Sequence, residues 1–294
     1  MYEENKLATY IEKSEIRKLS KNIKVRMSKE IAQKYDKGLF SKSLKRIQDL
    51  YNKIKEINIK YPGNSNPVLY IYIVPKEKYS ELLKVPAIFD KGTGGGKPVK
   101  CFDLDGYNEA YGISENLLEN KNINEGISKT ENETHELSHI VQSQFCYKNA
   151  IISEGFAEML ALYILDMEKD FTDYKKALAS LKDEDIYTAK ELLNSERDKT
   201  FGTAELIPNR TCSFRLSYIS SYLFIRGCIK TIEKNKSCSK IDALNNFLRI
   251  LRNSTCTFEW LIFDIANSLK IDKEQLLNGK ELQLYTLKEI LNDK

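Results

Sequence analysis

From Ser14 to Tyr61 apolar side chains return every three or four residues, most regularly as Leu44, Ile47, Leu50, Tyr51, Ile54 and Ile57. This spacing marks one face of a helix, with the lysines between forming its solvated side. YPGNSNP (61–67) interrupts it, because proline and glycine do not continue a helix. PVLYIYIVP (67–75), a β-rich run between prolines, reads as a buried strand. The loop KGTGGGKP (91–98) leads into VKCFDL and NEAYGIS, two further strand candidates. Beyond Thr130 the pattern is almost wholly helical. Thr130 and Glu133 have capping-box spacing for a helix that starts just before His135 and runs to about Tyr147. A second helix begins near Ser153 and is apolar nearly all round through Met167, as suits a central, buried element. Amphipathic helices fill the tail, clearest at Phe258, Leu261, Ile262, Ile265 and Leu269. Together these predict a predominantly helical α+β chain with a small mixed sheet. An upper lobe over 1–147 and a helical lower lobe over 148–294 would form one unit.

Composition fits this picture. The 294 residues are 41% apolar and 30% charged, with six prolines, which suits a folded chain with a sizeable core. No apolar run reaches the length of a membrane span, and MYEENKLATYIEKSEIRKLSK has no apolar leader core. As written the chain reads as cytoplasmic, or as secreted if a leader precedes Met1. Six cysteines form no CxxC pair, and disulfides and buried thiols remain equal alternatives.

The net charge of +4 hides an asymmetry. Residues 13–60 hold fifteen Lys/Arg against five Asp/Glu, and 103–170 hold fourteen Asp/Glu against four Lys/Arg. The basic stretch interleaves with a regular apolar stripe and lacks base-stacking aromatics, so it reads as a solvated helix face, and no nucleic-acid partner is expected. The glycine run is not a P-loop either, since Pro98 stands where the hydroxyl residue after Lys97 is needed.

Chemistry concentrates at HELSH, 135–139, which contains both histidines of the chain. A spacing of four puts two imidazoles on one helix face, able to grip one ion. Two histidines would fall so by chance on the order of one time in a hundred, and a glutamate after the first lowers that about tenfold. HExxH on a helix is the pattern in which His135 and His139 bind zinc and Glu136 handles a proton. A catalytic zinc takes a third protein ligand and keeps one position for water. SEGFAE, 153–158, offers Glu154 and Glu158 one turn apart inside an apolar helix, where an unpartnered carboxylate is expensive.

HELSH followed by SEGFAE resembles the gluzincin metallopeptidases. EGFA is similar to the NEGFA element of gluzincin aminopeptidases and to the EGxAEY element of bacterial collagenases and peptidase MA-like domains. The resemblance implies a thermolysin-like zincin fold over roughly 25–290 and a single Zn²⁺ on His135, His139 and Glu154. Glu136 would be the general base and Glu158 would orient a histidine ligand. The fourteen residues between His139 and Glu154 are fewer than in the aminopeptidases, and the aminopeptidase spacing would land on Glu158, so the two glutamates can exchange roles. GYNEAYG, 106–112, is similar to the aminopeptidase GxMEN element, with Asn108 and Ala110 departing from it. Either Glu109 holds a substrate α-amine, or Glu109, Ala110, Tyr111 and Gly112 are an edge strand pairing with peptide backbone. RLSYISSYLFIRG resembles the helix carrying an oxyanion-donating tyrosine, which would be Tyr218, or Tyr222 one turn on. The expected partner is a peptide or protein substrate, cleaved in exo- or endopeptidase fashion. The rival reading is a zinc-binding pseudo-peptidase that captures peptides or proteins, and retention of Glu136 argues against it.

Overall fold

The protein is described here by a computed structural model, covering residues 6–57, 67–84, 96–99, 101–102, 108–119, 133–140, 150–166, 178–194, 203–204, 214–253 and 258–292. It divides into two compact units, residues 1–56 with 61–140, and residues 57–60 with 141–294. The chain is mostly helical with a small mixed five-stranded sheet, an α+β arrangement.

In the first unit, α1 (Lys6–Glu12) precedes a hairpin of β1 (Glu15–Ser20) and β2 (Ile23–Met27). Helical spacing across 14–61 therefore overlooks two strands. Within 23–27 the period is two: Ile23, Val25 and Met27 are buried, while Lys24 and Arg26 are half-buried. Short alternating runs beside a long helical stripe read ambiguously, and pairing along the sheet decides them. Helices α2 (Lys29–Asp36) and α3 (Ser41–Glu56) follow, α2 capped by Ser28, whose hydroxyl accepts from the Ile31 amide.

The strand expected at 67–75 is β3 (Val68–Val74), central in the order β1-β2-β3-β5-β4. It pairs in parallel with β2 and with β5 (Asn108–Ser114). A parallel strand covered on both faces reads as continuous apolar sequence. The register sets Leu69 beside Glu109, Ile71 beside Tyr111 and Ile73 beside Ile113, so these six share one face. The other face carries Tyr70, Tyr72, Val74 and Ala110, which cluster with Leu7 and Ile11 of α1 and with Tyr79, Leu82 and Leu83 of α4 (Tyr79–Leu83).

Of the expected strand VKCFDL, residues 100, 103 and 104 lie outside the described residues, and the described part is not strand. The strand is the two-residue β4 (Lys97–Pro98), and of the expected run Val99, Cys101 and Phe102 are described as irregular chain. After β5 comes the single turn α5 (Glu115–Leu118), tied to α2 by Lys34, whose Nζ lies 2.7 Å from both Glu115 and Glu119. Residues 133–140 form helix α6. The proposed cap Thr130 and the run from 141 to Tyr147 lie outside the described residues.

The second unit is helical, with α7 (Ala150–Met159) running into a π-helical turn, Leu160–Ile164. After α8 (Ala189–Asn194), the two-residue β6 (Thr203–Ala204) and β7 (Phe214–Arg215) pair antiparallel. The longest described helix, α9 (Leu216–Lys236), is buried along most of its length and packs against α7, and further helices succeed it. These are α10 (Lys240–Asn253), α11 (Phe258–Leu269), α12 (Lys273–Asn278) and α13 (Glu281–Asn292). The apolar stripe expected in the tail is α11, with Leu261, Ile262, Ile265 and Leu269 all buried. Cys101, Cys228 and Cys238 are free thiols. Among the described residues no helix is long and apolar enough to cross a membrane.

Ile71 is fully buried at the centre of the sheet. Its replacement by alanine is expected to cost about 2–5 kcal/mol of unfolding free energy, measured by urea denaturation.

Candidate metal centre

Helix α6 buries Glu133, Thr134, Leu137, Ser138 and Ile140 and leaves His135, Glu136 and His139 half-buried on its remaining side. The two imidazoles stand edge to face, ring centroids 4.7 Å apart, with Nε2 to Nε2 at 3.0 Å. Two nitrogens on a tetrahedral zinc, each about 2.0–2.1 Å from the ion, stand roughly 3.3 Å apart, close to the spacing found. One donor atom from each of His135, His139 and Glu154 lie within 4.8 Å of one another. This group could hold a metal ion. Two imidazoles and one carboxylate are a donor set that zinc accepts while keeping a position for water.

Glu154 is 6% exposed and Glu158, one turn on, is half-buried. Of the two, Glu154 is the one grouped with the imidazoles. The glycine after it has a packing reason. A Cβ on Gly155 would lie 2.2 Å from Ser221 Oγ and 2.5 Å from the Ser221 carbonyl carbon, so α7 and α9 meet at backbone distance there.

Tyr218 stands half-buried on α9, three residues before Ser221. Tyr222 is fully buried, and its hydroxyl accepts from Arg226 Nη1 at 2.8 Å. Arg226 in turn lies over the ring of Tyr163, 4.6 Å from its centroid, and Tyr163 donates to Glu233 at 2.9 Å. Burial, then that hydrogen bond, pushes the Tyr163 hydroxyl well above its ordinary pKa. Tyr222 thus belongs to an internal network.

Glu109 is only 5% exposed, and its carboxylate accepts a hydrogen bond from the Tyr51 hydroxyl of α3. Lys55, one turn further on α3, also feels this carboxylate. Burial lowers the lysine's pKa and Glu109 partly restores it. Nor are Ala110, Tyr111 and Gly112 an open edge. They pair with β3 on one side, and on the other Lys97 is registered with Gly112 and Pro98 with Tyr111, while the Val99 amide donates to the Ala110 carbonyl. Gly96 makes this possible, because a Cβ there would fall 2.2 Å from the Tyr111 phenol. Pro98 then presents no N–H to continue the ladder outward.

One residue near α6 was not singled out in the sequence, and one that was has a different setting from the edge expected of it. Arg46 of α3 grips Glu133 with both Nε and Nη2, the latter at 2.7 Å from Oε1. Tyr111 is fully buried beside the same helix, and its hydroxyl pKa is raised well above ordinary by burial and then by the carboxylates of Glu133 and Glu136. Arg46 and Tyr51 lie within a regular amphipathic stripe, and only their long-range partners reveal them.

No family model matches the chain, and no curated protein matches it. Gly155→Ala is expected to destabilise by about 1–3 kcal/mol through overpacking, followed by thermal unfolding. Adding Ser221→Gly is expected to leave much of that loss, because the Ser221 backbone also blocks the new methyl.

Proposed function

We propose that the protein is a zinc-dependent peptidase of gluzincin type with a zincin fold, using His135, His139 and Glu154 to hold one zinc ion. What supports this reading is the grouping of those three donors with Glu136 in the same helical turn as both histidines. When bound, zinc supplies Lewis-acid polarisation of the scissile carbonyl and acidifies water to a pKa of about 7.

The protein's own groups do the rest. Glu136 takes a proton from the attacking water as its oxygen adds to the carbonyl carbon, then delivers it to the amine nitrogen as the C–N bond breaks. Tyr218 donates to the carbonyl oxygen as negative charge develops there. Glu158, one turn from the ligand Glu154, orients a histidine ring. The role of α-amine anchor is not carried forward for Glu109, because Tyr51 already holds its carboxylate. Cleavage of internal peptide bonds is therefore the activity proposed.

Zinc content and digestion of a peptide mixture, read by mass spectrometry, test the proposal. Wild type is expected to bind one zinc and to cut internally. Glu136→Gln should keep the zinc and lose about 10²–10⁴-fold in rate. Metal uptake without Glu136-dependent cleavage would favour the binding-module reading, and trimming from the amino end would return Glu109 to the site. His135→Ala, His139→Ala and Glu154→Ala are each expected to weaken zinc binding, measured by competition with a chromophoric chelator. Unchanged affinity in all three would end the metal assignment.

A further inference from the structure

Glu133 stands in the first described turn of α6, two residues before His135, and is 5% exposed. Two residues along a helix are 200° of rotation, so Glu133 projects on the side of the helix roughly opposite the first histidine. There it meets Arg46 in a two-pronged ion pair, Nε to Oε2 and Nη2 to Oε1. Leu137 and Ile140, on the same side of α6, are buried as well. Apolar packing has no direction of its own, and a helix seated only on such residues can roll about its axis. A roll of about 20° moves an imidazole nitrogen by roughly 2 Å, as long as the bond it must make to zinc. A fork of two parallel N–H···O bonds resists that roll, since rotation stretches one prong or both.

We propose that Arg46, reaching from α3, is a positioning residue for the metal centre. Through Glu133 it sets the rotation of α6 and hence the direction in which His135 and His139 present their nitrogens. The inference rests on the metal reading given above. Arg46 is not in the donor group, and its effect passes through the helix it holds.

Arg46→Met combined with Glu133→Gln tests it, because removing both charges avoids stranding either in the interior. Zinc affinity is measured by chelator competition, ligand geometry by the visible spectrum of the cobalt-substituted protein, and folding by the melting temperature of the metal-free form. The double variant is expected to bind zinc about ten- to a hundredfold more weakly with an altered cobalt spectrum, its metal-free melting temperature staying within a few degrees of wild type. Arg46→Lys keeps the charge without the fork. It is expected to show a smaller loss in the same direction, and it decides the matter if the double variant unfolds. Wild-type affinity and an unchanged cobalt spectrum in the folded variants would overturn the positioning role while leaving the metal reading intact. A wild-type protein that takes up no zinc would overturn both.

Discussion

A carboxylate enclosed by protein must be met by a donor or a cation, because leaving it alone in a low-dielectric interior costs several kcal/mol. Three glutamates of this chain, Glu109, Glu133 and Glu154, are each no more than 6% exposed, and the arrangement around them follows from that requirement. Glu133 is answered by the Arg46 fork and Glu109 by the Tyr51 hydroxyl, with Lys55 in its field. Glu154 shares its surroundings with two imidazoles at metal-binding distances. A metal ion could meet all three of those donors at once.

In the first unit both protein-borne answers come from a single helix. The inner side of α3 supplies Leu44, Ile47 and Ile54 to the core. Among them it also supplies the polar groups that hold β5 at Glu109 and α6 at Glu133. Long side chains make this possible: arginine and tyrosine bury their stems with the apolar residues and deliver a polar tip at the far end. Strand β5 and helix α6 are thus fixed from the same support, with bonds that have direction where the surrounding apolar packing has none.

In the second unit α9 plays the corresponding part. Small residues let α7 approach it closely, Gly155 against Ser221, and further along Arg226 joins Tyr222 to Tyr163 on the π-helical turn. A fully buried arginine is tolerated here because an aromatic face and a hydroxyl receive it. The same packing that sets the position of Glu154 along α7 therefore extends into a polar network, and Tyr222 is committed to it.

The sequence by itself determined what is local. The 67–75 strand was legible because a doubly covered parallel strand is apolar throughout, and the tail helices because their stripes are long. The donor trio was legible because histidine is used only twice and a carboxylate sits oddly in an apolar helix. The hairpin at 15–27 was not, since five or six alternating residues next to a helical stripe carry too short a period to stand out. The covering of β5 by Lys97–Val99 is a pairing that no local pattern announces, and the partners of Glu109 and Glu133 stand 58 and 87 residues away in the chain. Which carboxylates are buried together with which cations is a property of register and helix rotation. Those are set when the sheet and its covering helices pack, so only the tertiary structure decided them.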